Sequence, residues 1–254
     1  MTIDEMIANK AQLIELKKGA VKYTDVWQSN VIKVGDQIKA ERNLEDNDDE
    51  VYRTIVGNTY YWMDGHDDVH TKGCFTKSIK ERSNRIFHLH DHEYKLTSRV
   101  GDPQEITEKD ISWRDLGVDI EGETTSLLML SKIRKDYNSS IYSDYKNMKI
   151  DQHSVGMRYE KILFATNDAR FIDEKKNWDD VYPLLANKEA ADEKGYFWIV
   201  KEASLIEISA VLMGSNPITG TLQPEKSIEE SKDEAADALL KSKVEFYKQL
   251  RNGF

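Results

Sequence analysis

Apolar residues recur with helical spacing at the start of the chain and with strand spacing further on. Ile3, Met6, Ile7, Leu13, Ile14 and Leu16 stand among charged residues and predict an N-terminal amphipathic helix over residues 1–20. β-Branched and aromatic residues from Val21 to Lys39 predict two short strands. Further strands are predicted at Val51 to Trp62, Arg85 to His92, Lys95 to Val100, Gly117 to Glu121, Ser154 to Ala165 and Phe197 to Met213.

Helical patterns occupy fewer segments. They lie at Phe75 to Arg82 and Thr125 to Tyr137, and a charged stretch, residues 166–195, predicts a helical insertion between two strands. Ser227 and Glu230 have the spacing of a capping box and predict an amphipathic helical tail over residues 221–254. We therefore expect a mainly β chain with helices (α+β), in which residues 21–220 form the main domain.

Composition excludes several classes of partner. The 254 residues carry a formal charge of −10, which disfavours nucleic acid because binding phosphates needs a positive surface. Cys74 is the single cysteine, and the first residues lack the apolar core of a signal peptide. No run approaches the roughly 20 apolar residues that span a bilayer. We expect a cytoplasmic chain that does not enter the membrane.

A row of histidines ends one of the predicted strands. Because side chains alternate along a strand, His88, His90 and His92 are expected to share a face. The row alone is compatible with a structural role, a metal site or a catalytic base. Imidazole suits acid–base catalysis because its ordinary pKa of about 6.5 lies near neutral pH.

Two later strands carry polar residues in apolar surroundings. Ser154 is expected to face away from His153, so a base would have to come from another strand, and Gly156 would leave that face open to a substrate carbonyl. Glu207 lies in the most apolar run of the chain, so we expect it to be buried and paired. Its partner would be an arginine such as Arg99 or Arg158, or a histidine that it orients.

In order along the chain, these segments resemble the prohead maturation proteases of tailed bacteriophages, whose fold is related to that of the herpesvirus maturation proteases. The matching motifs are Gly57-Asn58-Thr59 with Met63-Asp64, residues 68–75 (DVHTKGCF), His90-Asp91, Ser154-Val155-Gly156, residues 205–211 (LIEISAV) and Ser215-Asn216-Pro217. The family often has a glycine and a basic residue shortly after His-Asp, where this chain has Ser98-Arg99.

The resemblance implies a herpesvirus-protease-like β-barrel and a serine endopeptidase without a cofactor. Ser154 would be the nucleophile, His90 the base and Glu207 the third member, with His88 or His92 as a replacement or support for His90. It also implies that the substrates are the scaffold or the scaffolding region of the major capsid protein. The protease would act as a homo-oligomer inside the prohead in the host cytoplasm. Self-cleavage is expected between Gly220 and Ser231.

Two other functions remain open on the sequence. His66, His70, His88, His90 and His92, with acids such as Glu93, could form a metal-binding β-barrel. A capsid assembly factor that keeps the fold without the activity is the second alternative, and it predicts that Ser154→Ala changes nothing.

Overall fold

The computed structural model describes residues 1–21, 44 and 46–222. Beyond Val21, the strands predicted up to Lys39 lie outside the described residues. The helix predicted after Pro224 lies outside them as well.

The described chain alternates long strands with short helices. Its helices are α1 (Ile3–Ala8), α2 (Lys10–Gly19), α3 (Thr76–Arg82), α4 (Ser139–Lys146), α5 (Ile172–Val181) and α6 (Lys188–Lys194). Its strands are β1 (Glu50–Thr59), β2 (Asp68–His70), β3 (Phe87–His90), β4 (Arg99–Ser112), β5 (Glu123–Arg134), β6 (His153–Thr166) and β7 (Tyr196–Ala210).

All seven strands belong to one sheet, in the order β1-β5-β4-β3-β7-β2, and β6 pairs with β7. The expected closed barrel is wrong, because no strand ladder joins β1 to β6 within residues 46–222. The segment 214–222 lies between these strands instead. The Val56 amide donates to the Gly220 carbonyl, and the His153 amide donates to Thr219 Oγ1. The fold is a mixed α/β fold built on one open sheet.

The helix predicted from Thr125 to Tyr137 is wrong, because this segment forms most of β5. β5 pairs with β1 on one side and β4 on the other, and most of its residues are buried. A strand buried on both faces reads as a continuous apolar run, and Leu127 to Leu130 form such a run. Periodicity alone does not separate this pattern from a buried helix.

The other predicted elements agree with the structure to different extents. The helix after Phe75 is confirmed, and so are strands β1, β6 and β7. The insertion between β6 and β7 is helical as expected, although it contains two helices. Residues 117–121 form a turn region rather than a strand, and α4 was not predicted. The N-terminal helix is divided at Asn9 into α1 and α2.

Ion pairs fix the N-terminal helices to the body of the protein. Lys17 Nζ lies 2.7 Å from Asp68 Oδ1, whose side chain is fully buried, and above the rings of Tyr159 and Trp198. The Tyr159 hydroxyl also donates to Asp68. Since a buried carboxylate needs compensating charge or hydrogen bonds, Lys17 couples α2 to the central sheet.

Among the described residues, no helix has both the length and the apolar character needed to cross a bilayer.

Candidate active site

Strands β3, β7 and β6 lie side by side and carry the predicted site residues. In the ladders, Ser209 of β7 is the partner of Ser154 in β6 and of Leu89 in β3. Glu207 is likewise the partner of Gly156 in β6. Because paired residues in adjacent strands project to the same side, Ser154, Ser209 and Glu207 share one face of the sheet.

The three histidines do not all lie on one face, although the strand period predicted that they would. His88 and His90 are paired with Ile208 and Ala210, so both project to the side opposite Ser154. His88 is fully buried there. The side chain of His90 is 19% exposed, and its Nδ1 lies 3.0 Å from Asp91 Oδ2.

His92 reaches the face of Ser154 because the chain leaves the strand geometry after His90. Asp91 and His92 have φ values of 52° and 54°, in the left-handed region that non-glycine residues seldom adopt. This turn brings His92 Nδ1 to 2.6 Å from Glu207 Oε1. The strand period could not predict this contact, since it depends on two residues beyond the end of the strand.

Glu207 is buried and paired, as the sequence predicted. Its partner is a histidine and not Arg99, whose guanidinium lies 2.8 Å from Asp102. The second carboxylate oxygen, Oε2, accepts a hydrogen bond of 2.6 Å from the Ser209 hydroxyl. The side chain of Glu207 has no exposed surface, and that of His92 is 7% exposed. Such desolvation strengthens the electrostatic interaction between the two groups.

Gly156 has a different role from the one predicted. We expected its missing side chain to leave room for a substrate carbonyl, but the Glu207 carboxylate occupies that space. A Cβ atom on Gly156 would lie 1.9 Å from Glu207 Oε1 and 2.9 Å from the Tyr94 hydroxyl. Glycine at this position therefore makes room for the carboxylate beside His92.

A buried chain of hydrogen bonds lies on the opposite side of the sheet. His88 Nδ1 lies 2.8 Å from the Ser131 hydroxyl, and His88 Nε2 lies 2.9 Å from the Tyr145 hydroxyl. The same Tyr145 hydroxyl lies 2.9 Å from His153 Nε2. His153 Nδ1 lies 2.8 Å from the Thr219 carbonyl. The carbonyl can only accept, so Tyr145 donates to His153 and accepts from His88.

Burial keeps both of these histidines neutral. It lowers the pKa of His88 to about 3, with a further contribution from His153, and it lowers the pKa of His153 to about 4. Neutral rings are what the hydrogen-bond chain requires. His88 and His153 therefore stabilise the fold, and the structure brings neither of them to the face of Ser154.

Large exposed apolar side chains lie on β3 and in the segments that follow β3 and β7. Phe87 is 46% exposed on the Glu207 side of β3, and Tyr94 is 49% exposed, close to Gly156. Leu96 and Leu212 are about nine-tenths exposed in the segments that follow β3 and β7. Ser154 itself is 5% exposed. The site is therefore a small, mostly enclosed polar cluster with the exposed side chains of Phe87 and Tyr94 close to it.

The histidines proposed for a metal site point to different partners. His88, His90 and His92 bind Tyr145, Asp91 and Glu207 respectively. In the part of the chain that the structure describes, no group of three or more His, Cys, Asp or Glu residues is arranged to hold a metal ion.

Comparison of the chain with known protein families, with curated proteins and with solved structures finds no match in any of the three.

Proposed function

We propose that the protein is a serine endopeptidase in which Ser154 is the nucleophile, His92 the base and Glu207 the residue that orients the base. The observation that carries this proposal is the buried hydrogen bond between His92 Nδ1 and Glu207 Oε1, on the face of the sheet to which Ser154 belongs. A serine, a histidine and a buried carboxylate are the groups that acyl transfer uses.

The hydrogen bond determines which nitrogen of His92 can act. The carboxylate accepts from Nδ1–H, so neutral His92 carries its lone pair on Nε2. Nε2 would take the Ser154 proton as the serine oxygen bonds to the scissile carbonyl carbon. It would return that proton to the amine as the C–N bond breaks, and water would then release the acyl group from Ser154. Glu207 would stabilise the imidazolium in both steps.

The choice of His92 departs from the motif match, which favours His90. His90 lies on the other side of β3, with Nδ1 directed at the exposed carboxylate of Asp91. His92 is held by a fully buried carboxylate, which fixes one tautomer. The contacts therefore support His92 as the base, and His90 stays a prediction from the motif.

A polypeptide substrate is supported by the surroundings of the site. Four large apolar side chains, Phe87, Tyr94, Leu96 and Leu212, are exposed on the elements that carry it or directly follow them. Exposed apolar surface beside a polar cluster often marks a binding site. We infer that they contact apolar side chains of an extended peptide.

The sequence resemblance extends the proposal to capsid maturation. The substrates would then be the scaffold or the scaffolding region of the major capsid protein of a tailed phage, cleaved by a homo-oligomer inside the prohead in the host cytoplasm. Self-cleavage would fall after Leu222, since Gly220 and Leu222 are held by backbone hydrogen bonds to β1. Residues 223–231 of the expected cleavage segment lie outside the described residues.

Labelling with a fluorophosphonate tests the proposal without a known substrate, because this reagent reacts with serines activated by a neighbouring base. The wild-type chain should gain one adduct, mapped to Ser154 by peptide mass spectrometry, and Ser154→Ala should gain none. Intact masses of both proteins after incubation test self-cleavage in parallel. A wild-type chain that gains no adduct, under conditions that label a known serine protease, would overturn the proposal in favour of an inactive assembly factor.

A further inference from the structure

Ser209 lies at the centre of the candidate site, on the strand β7 that also carries Glu207 and that pairs with β6, the strand of Ser154. It is the ladder partner of both Ser154 and Leu89, so its side chain projects to the site face. The residue is fully buried. The motif of residues 205–211 contains Ser209 and implies no role for it, although its position two residues after Glu207 on one strand places the two side chains on the same face.

The hydroxyl of Ser209 makes two hydrogen bonds to two other members of the site. It donates to Glu207 Oε2 at 2.6 Å, and it accepts from the backbone amide of His92 at 3.2 Å. A hydroxyl has one proton to donate and lone pairs to accept with, so both bonds can exist at once. Ser209 therefore binds the side chain of one partner and the backbone of the other.

Each bond constrains a different degree of freedom. The bond to Oε2 limits rotation of the Glu207 carboxylate, which leaves Oε1 directed at His92 Nδ1. The bond to the His92 amide supports a backbone conformation with φ of 54°, in the left-handed region that is unfavourable for an L-residue. Without it, the turn that carries the imidazole over the sheet loses one of its contacts to β7.

We propose that Ser209 is a positioning residue for the His92–Glu207 pair, and that it acts through these two partners without taking part in the chemistry. This inference rests on the proposed serine hydrolase function. Because a displacement of about 1 Å of a catalytic group can cost on the order of 100-fold in rate, loss of the hydroxyl should slow acylation markedly.

The test compares Ser209→Ala and Ser209→Thr with a matched control, Ser204→Ala. Ser204 is on the same strand and also donates to a glutamate, Glu160 at 2.5 Å, but in an exposed pair. Fluorophosphonate labelling of Ser154 is followed over time at several reagent concentrations, which separates the maximal rate from the apparent affinity. Ser209→Ala should lower the maximal rate about 10- to 100-fold with unchanged affinity. Ser209→Thr should recover most of it, and Ser204→Ala should match wild type.

A second measurement keeps the inference testable if Ser209→Ala does not fold. Ser209→Cys keeps a similar volume with a weak donor, and proton NMR can follow the His92 Nδ1–H signal, which should broaden or shift upfield in this variant. Equal labelling rates for wild type and Ser209→Ala would overturn the role of Ser209 alone. An adduct on Ser209 itself would also overturn it, because Ser209 would then be a nucleophile. Absence of any adduct on wild type would instead contradict the proposed function.

Discussion

The carboxylate of Glu207 occupies the space that a side chain at position 156 would need, since a Cβ atom on Gly156 would lie 1.9 Å from Glu207 Oε1. Glu207 is held on its other sides by His92 and Ser209. One methyl group therefore cannot be added at position 156 without moving the carboxylate.

Gly156→Ala should accordingly have a large effect on the labelling rate of Ser154 and a smaller effect on the free energy of unfolding. Displacing the carboxylate removes the group that orients His92, so we expect labelling of Ser154 to slow by about 100-fold or more. Gly19→Ala is the control, because no atom lies within 4 Å of the position of its added Cβ. Wild-type labelling by Gly156→Ala would show that the position of Glu207 is not important for the reaction.

The sequence predicted the strands of the site better than its contacts. The alternation of side chains along β6 predicted that Ser154 and His153 project to opposite faces. The apolar run of β7 predicted that Glu207 is buried and paired. The structure confirms both. The His92 contact was not predictable, because it depends on a left-handed turn at two non-glycine residues, for which the strand period gives no signal. The contact between the Glu207 carboxylate and the space above Gly156 was not predictable either. It depends on the register between β6 and β7, which are distant in the sequence.

Tyr145→Phe should destabilise the protein although it removes one oxygen atom. The Tyr145 hydroxyl is the link between His88 and His153, and its loss leaves a nitrogen on each buried ring without that partner. We expect the free energy of unfolding to fall by about 2–3 kcal/mol in urea titrations. Tyr182→Phe, which loses an exposed bond to Asp192, should change it by less than about 0.5 kcal/mol. Equal effects of the two variants would contradict a stabilising role for the buried chain.

Stability should decline as the pH falls below the ordinary histidine range. The folded-state pKa values of His88 and His153 are about 3 and about 4, below the ordinary value of 6.5, so the unfolded chain binds more protons in this window. The stability that the two neutral rings contribute is fully present above about pH 6.5. It is lost as the pH falls towards 4, the pKa of His153, and then towards 3, the pKa of His88. Each ring contributes up to about 1.4 kcal/mol per pH unit to the slope of the free energy of unfolding against pH.

Urea unfolding at pH 7, 6, 5 and 4.5 measures how the free energy of unfolding changes with pH. His88→Gln should reduce this pH dependence by the contribution of the His88 ring. The imidazole signals of His88 and His153 in NMR spectra should remain those of neutral rings down to pH 5. Protonation of either ring near pH 6.5 would contradict the prediction.

Lys17→Met should loosen the N-terminal helices. Methionine keeps most of the packing on Tyr159 and Trp198 but leaves the buried carboxylate of Asp68 without its cation. We expect a loss of about 2–3 kcal/mol in the free energy of unfolding. Lys18→Met is the control, because Lys18 lies 3.9 Å from an exposed Glu15 in a pair of little energetic value. Similar stabilities of the two variants would show that Lys17 does not compensate Asp68.

We propose that His92, held by Glu207, is the base that serves Ser154. Fluorophosphonate labelling of His92→Ala and His90→Ala, followed over time beside wild type, tests it most directly. We predict that His92→Ala slows labelling of Ser154 by about 100- to 10,000-fold, the usual range for a general base, and that His90→Ala stays within a few-fold of wild type. Normal labelling by His92→Ala together with loss of labelling in His90→Ala would contradict the claim.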